Sequence, residues 1–370
     1  MTGFQVFRYT LIVLGTVALA ALFVATLDVW IVLWLAILIA SALRPSIMRL
    51  KDWGISQNVA IPIVYGGVLT ISLVLLLLVV PPVVNQLVRY LQNDNLLVIR
   101  ILSTQRWVEG VLGSITGSPV TLGFDLDQIS LVVDRFVRAL EITAPTLIGD
   151  IGGFLGNLVL IFVMGIYWIN SRERVASFLV DLVPMGRQAQ TRAILDEIEV
   201  GLGAYVRGIV LVSVIVGFLS FVAMAILNAT GIVNIPNAGS LSFFYGLATA
   251  IPIIGGLIGV AAATGLALLS SPAAAAAVLI ITFVLQQVEN YYVSPRIMSS
   301  STRFDEILVI VFIAAGFTLN GLMGGMIAIP LAATAAILLN HLIILPHKAS
   351  VTPTRIDGGI VLPNSDMANR

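Results

Sequence analysis

Near the end of a long apolar stretch the chain reads Gln286-Gln287-Val288-Glu289-Asn290. Gln286, Glu289 and Asn290 recur at three- and four-residue spacing, which places them on one face of a helix. A carboxylate within a membrane-length apolar run is costly to keep, so its presence points to a role. Glu289 could hold a proton or a cation, and the amides of Gln286, Gln287 and Asn290 could hydrogen-bond a polar solute. An equally simple reading puts Glu289 at the membrane interface, paired with Arg296 or Arg303.

Two breaks in apolar runs form the second group of candidates. Pro252 with Gly255 and Gly256 interrupts one run, and Asn320-Gly321 with Gly324-Gly325 interrupts another. Proline removes a backbone donor and glycine lowers the cost of bending. In lipid the freed backbone groups must find partners, so such breaks persist inside protein or beside a watery cavity. They suit a solute or ion pathway lined by half-helix ends. Close helix packing through small residues is the structural alternative. Asp28 reads as an interfacial turn residue, Arg207 as a snorkelling anchor, Arg44-Pro45 as an anchor and a stop, and His341 as interfacial.

The elements that must position these residues follow from composition. Of 370 residues, 59% are hydrophobic and 10% charged, with mean hydropathy +1.05. A soluble domain carries roughly 25% charged residues, so lipid must be the main solvent. The fold class is all-α, a polytopic helical membrane protein. The net charge of +0 gives no bias toward nucleic acid, and there is no cysteine and only two histidines, His341 and His347. Thiol chemistry is excluded and no metal or cofactor site is expected. HExxH, GxGD, G-x-S-x-G and the P-loop motif are all missing from the sequence, so neither an enzyme nor ATP-driven transport is expected.

Apolar runs cover approximately 9–27, 29–43, 59–80, 147–169, 205–229, 241–269, 273–293 and 307–344. Each approaches the roughly 20 residues a crossing needs, giving about eight membrane segments, some broken or re-entrant. Four regions result: 1–82, N-terminal membrane helices; 83–146, an amphipathic helical region outside the membrane; 147–345, a membrane core with a connection at 170–204; and 346–370, a polar tail. Arg44, Arg49, Lys51, Arg172, Arg174, Arg187 and Arg192 cluster on one side. The positive-inside rule then predicts an inner or plasma membrane protein with both termini cytoplasmic. GGLIGVAAATGLALL (255–269) also echoes GGMIAIPLAATAAILL (324–339), as duplicated halves or merely similar composition would.

Several stretches resemble one family, the autoinducer-2 exporter or PerM-like permeases. They are Ala42-Leu43-Arg44-Pro45, Pro81-Pro82 with Gln86, GLGAYVRGIVLVSVIVGFL (201–219), AIPIIGG (250–256), QQVENYYVSPRIMSSST (286–302) and GFTLNGLMGGMIAIPLAA (316–333). The resemblance runs through most of the chain. It implies a helical permease that exports a small polar signal of the autoinducer-2 type, with sodium/proton antiport in some relatives, and homo-oligomers. Three functions stay open from the residues: a secondary exporter of a small polar solute, a cation/proton antiporter centred on Glu289 and coupled to H+ or Na+, and a membrane scaffold.

Overall fold

The computed structural model describes residues 3–91, 94–123, 126–251, 254–298 and 306–344. Every element among the described residues is helical. The helices are α1 (Gly3–Ala25), α2 (Leu27–Asp52), α3 (Gln57–Leu91), α4 (Asp94–Thr116), α5 (Leu126–Asp181), α6 (Gln188–Ala229), α7 (Ala238–Ala248), α8 (Gly255–Leu268), α9 (Pro272–Val288), α10 (Ser294–Met298) and α11 (Glu306–Leu339). Wider π turns at Glu289–Val293 and Asn340–Ile344 follow α9 and α11. Among the described residues, seven helical segments are long and apolar enough to cross a membrane, and their surfaces are studded with exposed Leu, Val, Ile and Phe. The chain is a multi-pass membrane protein.

Two compact units divide the chain. The first comprises Met1–Ile169 with Val206–Ser299, and the second Asn170–Tyr205 with Ser300–Arg370. Within the first, Ile47, Ala60, Ile61, Tyr65 and Phe162 bury together, joining α2, α3 and α5. Tyr65 and Phe162 meet edge to face with ring centroids 5.7 Å apart, a favoured aromatic geometry. A second core joins α6, α7, α8 and α9 through Met224, Leu241, Ala263, Leu266, Ala274 and Val278.

Arg44-Pro45 does not stop the second span, as the sequence suggests. Helix α2 runs on to Asp52 with Pro45 inside it. Pro45 cannot donate to the carbonyl four residues back, Ser41. The Arg207 guanidinium from α6 reaches that carbonyl at 3.4 Å and the Ala42 carbonyl at 3.3 Å. Arg207 is thus a bridge between helices, where the sequence suggests a snorkelling anchor. Likewise the run at 147–169 is not a separate helix, because α5 is continuous over 56 residues.

The apolar run 241–269 is not one span. It is split into α7 of 11 residues and α8 of 14. At 1.5 Å per residue these reach about 17 Å and 21 Å, short of the roughly 30 Å hydrocarbon core. They pack against each other as a helical hairpin. Asn228 holds the loop leading into it, donating to the Ile235 carbonyl at 2.9 Å and accepting from its amide at 2.6 Å.

Candidate functional site

The hairpin is mounted where glycine lets backbones touch. A Cβ on Gly246 of α7 would lie 2.7 Å from both the Gly217 Cα and the Ser213 carbonyl oxygen of α6. On the other side, a Cβ on Gly259 of α8 would come 2.9 Å from the Tyr245 ring. Only bare backbone fits at either place. This presses α7 between α6 and α8 and directs the Tyr245 side chain, itself fully buried, toward α9.

Helix α9 opens with Ser271, whose hydroxyl accepts from the Ala274 amide at 3.1 Å, and with Pro272 at its first position. This is a strong start signal. At its far end Gln286, Glu289 and Asn290 share one face, as their spacing predicts. The Gln286 amide donates to Glu289 Oε2 at 2.8 Å and to Asn290 Oδ1 at 3.3 Å. The Tyr245 hydroxyl sits 2.9 Å from the Thr282 carbonyl oxygen and 3.3 Å from Gln286 Oε1. The Glu289 carboxylate, which only accepts, calls for the amide nitrogen on its side and so leaves the amide oxygen toward the hairpin.

Ser294 completes the group, donating to Glu289 Oε1 at 3.3 Å. Five residues along an α-helix lie about 140° apart round the axis, so sequence spacing gives no hint of this pair. The π turn at Glu289–Val293 closes on i→i+5 hydrogen bonds and brings Ser294 over Glu289; such turns recur at functional sites. Glu289 is 9% exposed. Its hydrogen-bond partners are an amide and a hydroxyl, and among the described residues no arginine or lysine pairs with it. The interface pairing with Arg296 that the sequence leaves open is therefore not formed, and Arg303 lies outside the described residues.

The first glycine break meets this network. A Cβ on Gly256 would overlap the Gln286 amide, and one on Gly255 would overlap the Ala248 backbone. Gly256 therefore lets α8 approach the polar face of α9. Pro252 lies outside the described residues. Gln287 is half-buried and takes no part in the network. Tyr245, Thr282 and Ser294 are members that sequence reasoning misses. Tyr245 and Thr282 sit inside apolar runs, where only tertiary contact distinguishes them.

The second break is in the other unit and is a reversal. Asn320 and Gly321 leave helical geometry, Gly321 at a φ of 51° that favours glycine. Gly316 and Gly324, eight positions apart, lie backbone to backbone, and Gly325 is covered by the Phe317 ring. A straight helix would hold the first pair about 12 Å apart, so the chain folds back on itself at Asn320-Gly321. No group of three or more His, Asp or Glu residues that could hold a metal occurs among the described residues.

The family model for the AI-2E family transporter matches residues 11–344. Two proteins of Bacillus subtilis strain 168 are similar in sequence. "Putative transport protein YrrI" is 26% identical over 217 residues, covering 56% of this chain and 60% of that protein. "Putative transport protein YueF" is 21% identical over 220 residues, covering 58% of each. The chain thus spans about three fifths of the length of the curated relatives it matches.

Proposed function

The chain belongs to the AI-2E transporter family, and we propose that it is a secondary transporter exporting a small polar solute of the autoinducer-2 type. The observation that carries this reading is the polar network of Gln286, Glu289, Asn290, Ser294 and Tyr245 beside the α7–α8 hairpin. Its composition says what would fit. A carboxylate offers about four lone-pair positions, and among the described residues two donors, from Gln286 and Ser294, meet them. Asn290 Oδ1 and Gln286 Oε1 add further acceptors. The group is therefore rich in acceptors and suits a solute rich in hydroxyl donors, as a furanosyl diol is. Export, rather than uptake, rests on the resemblance alone, and the assignment to the inner or plasma membrane with both termini cytoplasmic rests on the distribution of Lys and Arg.

A cation/proton antiporter is the second reading, and the absence of a cationic partner for Glu289 among the described residues favours it. One experiment separates the two. The purified protein is sealed in liposomes with an internal pH dye, and a sodium or potassium gradient is imposed on wild type and on Glu289→Gln. Cation-dependent proton movement that disappears in the variant establishes the antiporter. With no proton movement in wild type, a labelled furanosyl signal is loaded and its efflux followed. Efflux that Gln286→Leu slows at least tenfold supports the exporter, and efflux no faster than from empty liposomes refutes it.

A further inference from the structure

We infer that the end of α11 is fastened to α6 by a proton-dependent latch, in which the His341 imidazole must be charged to dock. The contact lies wholly within the unit formed by 170–205 and 300–370. His341 Nδ1 is 3.1 Å from the Ile337 carbonyl oxygen, and Nε2 is 3.4 Å from Glu197 Oε2. Both neighbours are acceptors only. A neutral imidazole carries one N–H, so one ring nitrogen would face an acceptor with its own lone pair. The imidazolium carries two and satisfies both.

The surrounding contacts hold the ring in register for this choice. Gln190 donates to the His341 carbonyl at 3.2 Å. One turn earlier Ile337 packs against Gly201, where a Cβ would lie 3.9 Å away. The other charged groups on these turns are engaged with one another. Arg172 pairs with Glu173, Asp196 and Glu199, and Arg192 pairs with Glu173 and Asp196. Glu197 is the carboxylate left to face the imidazole. Among the described contacts between the end of α11 and α6, the His341–Glu197 pair is the one made by two ionisable groups.

Because α11 carries the Asn320-Gly321 reversal, the latch restrains the second arm of that hairpin when protonated and releases it when not. Charging the ring favours docking. The docked fraction therefore rises as pH falls. Glu197 is half-exposed, so the change in docking equilibrium should be modest, roughly two- to fivefold.

The chain has no cysteine, so Ala189→Cys and Leu338→Cys can be spin-labelled without background and the distance distribution read in lipid nanodiscs between about pH 8 and about pH 5.5. In wild type the short-distance population grows two- to fivefold as pH falls. His341→Gln and Glu197→Gln should each flatten that response, and His341→Lys should stay docked throughout. A wild type that does not respond, a His341→Gln protein that responds as wild type does, or an undocked His341→Lys overturns the latch. Should His341→Gln fail to fold, Glu197→Gln carries the same test.

Discussion

Replacing Gly246 by alanine tests whether the α7–α8 hairpin is held by direct backbone contact with α6. The new Cβ would stand 2.7 Å from the Gly217 Cα and from the Ser213 carbonyl oxygen, both of them backbone atoms that cannot rotate away. Ordinary contact begins near 3.4 Å, so the helices must part by roughly 0.7 Å in an interior packed at crystal density. Overpacking of this kind costs about 1–3 kcal/mol. The neighbouring Ser242–Met224 contact at 3.4 Å, which joins the same two helices, would loosen with it. Gly265 on α8 supplies the control. Nothing lies within 4 Å of its Cβ position, and alanine there should raise helix stability by up to about 1 kcal/mol. Thermal unfolding in detergent, followed by the loss of monodisperse protein, should shift down for Gly246→Ala and stay level or shift up for Gly265→Ala. A Gly246→Ala protein as stable as wild type would show that the hairpin is not seated on Gly217, and the argument placing Tyr245 against α9 would fall with it.

Two further outcomes follow from contacts elsewhere. Arg207→Ala should lower the unfolding midpoint in wild type but much less in a Pro45→Ala background, where an alanine amide can bond Ser41 itself; the coupling should be about 0.5–3 kcal/mol, and strictly additive effects would refute the bridge. On α4, Gln105 holds the Glu109 carboxyl below the usual carboxylate range, and the carboxylate also accepts from the Leu122 amide at 2.7 Å. The ionised form gains these partners, so the 117–123 loop should be held above the ordinary carboxylate pKa and released as pH falls through the depressed one. Amide exchange at Leu122 should show that release in wild type, and Glu109→Gln should abolish its pH dependence.

What was legible in the sequence was local. The shared face of Gln286, Glu289 and Asn290 follows from helical spacing, and the number and length of apolar runs follow from hydropathy. The glycine and proline clusters mark where runs break but not how. At Asn320-Gly321 and between α7 and α8 the chain turns back, and hydropathy is blind to direction because both arms of a hairpin are equally apolar. Pro45 reads as a stop because the donor to the orphaned Ser41 carbonyl, Arg207, lies 166 positions from it. Tyr245 was invisible for the same reason. A tyrosine in a Phe-Phe-Tyr run carries no polar signal until its hydroxyl is placed against Thr282 and Gln286.

Those long-range contacts also explain why the polar network sits where it does. An acid buried without a counter-ion is expensive to maintain, and an interrupted helix in lipid is expensive too, because its tip leaves backbone groups without partners. Had the two lain apart, each would need its own polar surroundings. Gly256 brings the first turn of α8 onto the Gln286 amide, and Tyr245 reaches from the last turn of α7 to the same side chain. Both ends of the hairpin turn thus converge on one residue of α9. Hydrogen bonds that hold Gln286 between Tyr245 and Glu289 are the ones that a solute hydroxyl or cation would have to replace under the proposed function. On the proposed function, a ligand bound at Glu289 would loosen the attachment of the hairpin to α9, and occupancy and hairpin position would become a single equilibrium.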